Sequence, residues 1–391
     1  MNNTELLLIE ILSAFANGRK PEITTEYDAT ELYELAKAQS VSGIVGYMLN
    51  KYGFSDFAKA DKRYEDIFDK IVTQFIRKDF YAQNLINKLN EAQIPHILFK
   101  GLVVKECYPV PELRTFGDID IIIPKNMRTK SHKLMCSLGY DWELMDGGEV
   151  YSYKKDKENY ELHVSLNSEK TKLSSKMNSF WDYAKPKSGF TYEFENEFHL
   201  GYLISHIEKH LYGSGAGVRM YLDIALFLNK YKESLDLEKV REMLKECELE
   251  KFFDSTLYLC HKWFDTDIEP KEEMCAELYN EFCRYTFEGG VFGIQEREKL
   301  NENEIRRAVF EKGKAGKATV LLGHIFPPYK EVRRIYPFFN GKPYLLPAGW
   351  VLHWFKAGKR SGLKNIRQIA SADVDKARSE KEFFDQIGSN R

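Results

Sequence analysis

GDIDIIIP, residues 117–124, is the stretch on which the fold turns. Its isoleucines are β-branched, and Gly117 and Pro124 bound it, which marks a short buried strand over 118–123. Side chains alternate across a strand. Asp118 and Asp120 therefore share one face, while Ile119 and Ile121 point the other way into a core. Two carboxylates side by side repel each other. They are tolerated at a wet strand end or around a cation. Mg²⁺ suits such a pair, because it takes oxygen ligands and keeps triphosphate oxygens in its shell.

On the N-terminal side, IPHILFKG (94–101) predicts a strand ending at Lys100 and a helix from Gly101 to near Cys107. YPVPELRTFG (108–117) holds two prolines and a glycine and reads as a loop. On the C-terminal side a helix is expected over 127–138, with Gly139 placed to stop it. EVYSYKK (149–155) and YELHVSL (160–166) alternate as two strands joined by the turn DKEN. Glu161 and His163 share one face of the second strand, Leu162 and Val164 the other. Laid beside 118–123, that strand adds Glu161 as a third carboxylate, enough to hold one or two ions.

The flanking sequence is helical. Residues 4–92 carry apolar positions at three and four spacing, and a proline-free run from about Phe57 to Glu91 predicts one long helix. Further helices are expected at 195–212, 218–231, 237–247, 250–264, 271–284 and 298–313. The tail has a Pro/Gly-rich middle, an aromatic helix WVLHWFKAGKR (350–360) and a charged last helix. The fold class is α+β: a small mixed β-sheet lobe embedded in a mostly α-helical chain. The expected division is 1–92, an N-terminal helical region; 93–195, the α+β core; 196–315, a helical domain closing the cleft; and 316–391, a C-terminal extension.

Composition narrows the function classes. The chain has 391 residues, 43% hydrophobic and 30% charged, with a net charge of -2. That balance argues against a dedicated nucleic-acid coat or a polybasic membrane binder, while a local basic groove stays open. Six scattered cysteines form no CxxC pair and are expected to be buried, reduced thiols. No stretch approaches the ~20 apolar residues of a membrane span. The first residues resemble an amphipathic helix rather than a signal peptide, so the cytoplasm is the expected compartment.

A phosphate cradle is expected at Phe99-Lys100-Gly101, where a strand turns into a helix. Backbone N–H groups there can bind phosphate, glycine allows close approach, and Lys100 adds a charge. Arg114, four residues before Asp118, is placed to reach the same phosphates or brace the aspartates. The pattern FKG…R…GDIDII…ELH resembles the DNA-polymerase-beta-like nucleotidyltransferase superfamily. More narrowly it resembles a bacterial nucleotidyltransferase family with a KG…R…GDxD…(D/E)xH arrangement, from the middle of the N-terminal helices to about residue 270. The resemblance implies a nucleotidyltransferase lobe with a carboxylate triad on two divalent cations. It implies Gly101 as the glycine-motif residue, Asp118 and Asp120 as paired ligands, and Glu161 as the third acid. Two departures stand out: no serine follows Gly101, and the gap from Gly101 to Asp118 is long for the superfamily.

The expected function is Mg²⁺-dependent transfer of a nucleoside monophosphate from a nucleoside triphosphate such as ATP to an unidentified acceptor. The acceptor is a small molecule, a protein or RNA; nucleic acid is left open and no membrane span is expected. The alternative is a catalytically inactive nucleotide-binding or regulatory module of the same fold, which the altered glycine motif favours. A third reading, a phosphohydrolase, rests on His206 and His210, four apart on one helix, with Arg219 and Asp223 four apart on the next. These side chains form a metal site, a polar seam between helices, or, as the resemblance suggests, a wall where His210, Arg219 and Asp223 contact base, ribose or acceptor. His163 either orients Glu161 or touches phosphate, or is a satisfied histidine at a sheet edge. For the aromatic and basic tail three readings are open: base stacking, a membrane-surface helix at 348–360, and, most plainly, packing on the helical domain.

Overall fold

The computed structural model describes residues 1–391 except 24–27, 55–60, 116, 145–149, 167–178, 214, 290–321, 324, 340, 360–373 and 390–391. Among the described residues one mixed sheet forms, from β1 (His96–Leu98), β2 (Ile119–Ile122), β3 (Asp141–Leu144), β4 (Val150–Lys155), β5 (Glu158–His163), β6 (Ala184–Ser188) and β7 (Thr191–Phe194). Their order across the sheet is β3-β4-β5-β2-β1-β7-β6. At its centre β2 runs parallel to β5 and antiparallel to β1, which in turn runs parallel to β7.

The β4–β5 hairpin is tighter than the expected four-residue turn. Asp156 and Lys157 both take positive φ, 53° and 68°. That is the two-residue geometry matching strand twist, so Glu158 and Asn159 belong to β5. The edge strands β3 and β6 are too short and too exposed to stand out as half-buried strands; β3 is only DWEL, with Trp142 half exposed. Strand β6, AKPKS, is mostly exposed and carries lysines and Pro186, residues that keep an edge from pairing further.

The helices are α1 (Asn3–Ala16), α2 (Ala29–Ala38), α3 (Ser42–Lys51), α4 (Arg63–Glu91), α5 (Gly101–Val104), α6 (Arg128–Ser137), α7 (Asn196–Gly213), α8 (Val218–Tyr231), α9 (Leu237–Glu246), α10 (Glu250–Phe264), α11 (Ala276–Gly289), α12 (Tyr329–Ile335), α13 (Leu346–Lys359) and α14 (Val374–Ile387). Local chemistry sets several ends. Asn2 and Glu5 form a capping box on α1, and Asp28 and Asp236 cap α2 and α9. Gly139, with φ 77°, follows α6 as expected. Helix α11 starts five residues later than the sequence suggests and runs on to Gly289. Its end needs a bare backbone: a Cβ on Gly215 would lie 2.7 Å from the Gly289 Cα. The helix expected at 298–313 lies outside the described residues.

Each sheet face has its own core. Ile119, Ile121, Tyr160 and Leu162 pack with Leu85 and Leu89 of α4 and Met135 of α6. Ile97, Phe99, Ile122 and Phe194 pack with Phe198, Leu203 and Ile204 of α7, in a cluster continuous with α1, α3, α8 and α10. Each such side chain contributes roughly 1.5–3 kcal/mol on burial. Gln39, fully buried, joins distant segments. Its Nε2 donates to the Phe287 carbonyl (3.0 Å), and its Oε1 accepts from the first N–H of α8, Val218 (2.8 Å). Helix α14 enters the same core through Phe383, Phe384 and Ile387. One expectation is corrected: Cys136 and Cys275 are exposed, and the other four free cysteines are buried. Cys136 sits on the outer side of α6, and Cys275 in the loop before α11. Among the described residues no helix is long and apolar enough to cross a membrane.

Candidate active site

The strand pairing brings two of the expected acids together. Asp120 and Glu161 are direct partners in the β2–β5 register. Both project to the face roofed by α7 and α8, opposite the buried Ile119 and Ile121. Asp118 stands just ahead of β2 and lines the same cavity. Burial raises its carboxyl pKa, and the charges of Glu161 and Asp120 push it up further, against a hydrogen bond from Asn159 and the charge of Lys78. Asp120 is held below the usual carboxylate range. Burial opposes this, but the Lys100 charge and a hydrogen bond from His163 outweigh it. Lys100 Nζ donates to Asp120 Oδ1 at 2.9 Å, and His163 Nε2 reaches the same oxygen at 2.8 Å. His163 Nε2 also lies 3.3 Å from Glu161 Oε2. The Phe99 ring meets His163 edge to face, 5.3 Å between centroids, and fixes its plane.

Among the described residues, the group whose ligand atoms lie within 4.8 Å of one another is Asp120, Glu161 and His163, with Asp118 outside it. A hard dication prefers the oxygens, leaving His163 to orient them. The charges fit such an ion: the carboxylates of Asp118, Asp120 and Glu161 converge, Lys100 pairs with Asp120 and Lys78 offsets Asp118, and repulsion among the acids adds to burial in raising Asp118. Lys100 has φ 49°, a left-handed backbone costly for a side-chain-bearing residue, just before α5. Helix α5 is only four residues long and continues as a 3-10 turn over Lys105–Cys107, so its dipole is small.

The facing wall is cationic. Helix α7 presents Leu203, His206, Ile207 and His210, and α8 presents Arg219, Met220, Asp223 and Ile224, around a cavity of about 330 Å³ also lined by Lys100, Gly101 and Arg114. Arg114 pairs with Asp223 in a fork: Nε to Oδ1 at 3.0 Å and Nη2 to Oδ2 at 2.9 Å. The Tyr108 hydroxyl donates to Oδ1 at 2.6 Å, and Arg219 Nη1 sits 3.4 Å from Oδ2. Two guanidiniums thus share one carboxylate. Desolvation lowers the Arg219 pKa while Asp223 supports it and Arg114 opposes it. Arg114 Nη1 and Arg219 Nε are buried with no hydrogen-bond partner.

All ten expected site residues lie at or beside this cavity. Sequence reasoning missed Tyr108, Asn159 and Lys78, whose Nζ bonds Glu158 Oε2 at 2.8 Å and the Gly117 carbonyl. It also missed Tyr202, buried beside Lys100, with its hydroxyl pKa pushed up to about 12 by burial. Only the ELH alternation hints at Asn159, two residues before Glu161 on the same face.

His206 and His210 contact each other edge to face, with centroids 4.5 Å apart. Desolvation and the Lys100 charge hold both pKa values down, that of His210 to about 4. Burial also lowers His199, to about 3, and His96. The sign of the stability effect follows. Between the unfolded pKa of ~6.5 and the folded values, only the unfolded chain binds these protons, so stability falls as pH drops through that window. Each histidine adds up to about 1.4 kcal/mol per pH unit. Denaturant melts at pH 7, 6 and 5 should show stability falling steadily. A flat profile would mean that these imidazoles titrate alike in both states.

A carboxylate cleft in an α+β frame matches the nucleotidyltransferase class that the motif resembles. Residues 25–265 match the family described as "Uncharacterised nucleotidyltransferase", and the chain belongs to it. No curated protein and no solved structure matches the chain.

Proposed function

We propose that the protein is a Mg²⁺-dependent nucleotidyltransferase of the cytoplasm that moves a nucleoside monophosphate from a nucleoside triphosphate to a hydroxyl or phosphate acceptor. The observation that carries this reading is the Asp120–Glu161 strand pairing, with Asp118 beside it, facing a cationic wall across one cavity. In the reaction an acceptor oxygen bonds to the α-phosphorus, the bond to the α–β bridging oxygen breaks, and pyrophosphate leaves with that electron pair. Held by Asp118, Asp120 and Glu161, one or two Mg²⁺ ions would supply polarisation of the α-phosphate and acidify the attacking hydroxyl.

The chain's own groups divide the remaining work. One of these acids also takes the acceptor's proton. Asp120 stays ionised, and His163 orients it and Glu161. Lys100 and Gly101 lie at the phosphate end. Arg114 belongs with Arg219 on the opposite wall, where the cation excess complements triphosphate charge. His210, Arg219 and Asp223 face the base, ribose or acceptor, which can be a small molecule, a protein or RNA.

A second reading, nucleotide binding without turnover, draws on the Lys100–Asp120 ion pair and the missing hydroxyl after Gly101. Incubating the protein with Mg²⁺ and ATP, GTP, CTP or UTP plus a cell extract, and measuring pyrophosphate, separates the two. The transferase reading expects Mg²⁺-dependent release that is lost in Asp118→Asn. Nucleotide binding that survives Asp118→Asn, with no pyrophosphate from the parent, favours the silent module.

A further inference from the structure

The described residues between 322 and 359 build a small unit around buried Val332, Tyr336 and Phe339, with Leu345, Leu346 and Trp350 packed against them. Trp350 Nε1 donates to the Pro327 carbonyl at 2.8 Å. The Tyr329 hydroxyl donates to the Phe339 carbonyl (2.8 Å) and accepts from the Lys342 N–H (2.9 Å). Gly349 lies so close to Val332 that a Cβ there would meet its Cγ1 at 2.5 Å. These contacts fasten one side of α13.

The other side is apolar too. Val351, Leu352 and Phe355 follow helical spacing on α13 and are 46%, 40% and 73% exposed, and Tyr344, in the 3-10 turn just before the helix, is 75% exposed. Ala348 continues the stripe, and Phe338, 69% exposed, carries the Lys342 amine 3.9 Å over its ring. Large apolar groups lined up in water favour a partner that removes them from it. Charge identifies the partner. Between 322 and 360 the sequence has seven Lys and Arg against the single acid Glu331, in a chain whose net charge is -2. Lys330 and Arg333 are exposed.

We propose that this face docks on a membrane surface bearing anionic headgroups. Aromatic rings enter at headgroup depth while the amines and guanidiniums meet lipid phosphates. At 1.5 Å per residue α13 is about 21 Å long, short of the ~30 Å hydrocarbon core. It therefore lies along the surface, and the whole-chain charge balance conceals a locally basic, aromatic segment.

The test is co-sedimentation of the full chain with vesicles of phosphatidylcholine alone or mixed with phosphatidylglycerol. Binding to the anionic vesicles should be at least tenfold tighter and should weaken with salt. Tyr344→Ser/Val351→Ser/Phe355→Ser should lose at least tenfold. Lys330→Glu/Arg333→Glu, on exposed positions that leave the small core intact, should lose the preference for anionic lipid. Equal or absent binding to both vesicles overturns the proposal. So does a parent dimer that the triple variant dissociates, or single-stranded RNA binding lost in both variants without any lipid binding.

Discussion

Asp120→Asn is expected to cut pyrophosphate release by about a thousandfold, equivalent to about 4 kcal/mol of transition-state stabilisation. The side chain keeps its size and its capacity to accept hydrogen bonds from Lys100 and His163, so the lost charge is the variable. Asp120 is the centre of the sheet wall: it pairs with Glu161 across the strands, and Lys100 and His163 converge on its Oδ1. Without its charge the Lys100 ammonium loses its counter-ion in a largely buried place. Breaking a fully buried pair costs about 3–5 kcal/mol. The two side chains retain 18% and 13% exposure, which screens the loss to about 1–3 kcal/mol.

A double-mutant cycle separates activity from stability. Lys100→Met removes the orphaned cation, so Lys100→Met/Asp120→Asn should recover most of the lost stability and none of the activity. Lys100→Met alone should bind Mn²⁺ at least as tightly as the parent in calorimetric titration, because it removes a cation that competes for Asp120, and should bind nucleotide more weakly. Full turnover in Asp120→Asn would remove the acid pair from the mechanism.

What the sequence made legible follows the range of each interaction. Alternation in DIDIII and YELH is a local rule, so it placed Asp120 and Glu161 on faces that the β2–β5 register then made neighbours. Helical periodicity likewise placed α8 and α10 at the expected bounds. Edge strand β3 alternates over only four residues, DWEL, and β6 sets a proline between lysines, because only one neighbour and little core select their residues. The fork between Arg114 and Asp223 spans 109 positions, and no local spacing signals it. Arg114 therefore read, from its nearness to Asp118, as a phosphate ligand or a brace for the aspartates, and its pairing with Asp223 on the helical wall of the same cavity carried no local signal. The tail illustrates a further limit: periodicity shows that a helix is apolar on two sides, but only the packed structure tells which side remains uncovered.

Asp223→Ala should be the most damaging single change to stability. One carboxylate takes bonds from Arg114 Nε and Nη2, the Tyr108 hydroxyl and Arg219 Nη1, at 7% exposure of the residue. Removing it strands two guanidiniums that desolvation already penalises. A loss of about 3–5 kcal/mol follows, or a fall in melting temperature of about 4–6 °C for a chain of this size. Asp223→Asn keeps acceptors without the charge and should fall between. Anions give the decisive contrast. If the stranded arginines face the cavity, phosphate or tripolyphosphate should restore stability to Asp223→Ala more than it stabilises the parent, in proportion to RT ln(1 + [L]/Kd). A variant that melts like the parent would show that the fork contributes nothing net. A destabilised variant unmoved by anions would leave the fork structural and take Arg114 and Arg219 out of nucleotide binding. Rescue, with pyrophosphate release still impaired, would tie the loop carrying Asp118 to the wall that receives the substrate's charge.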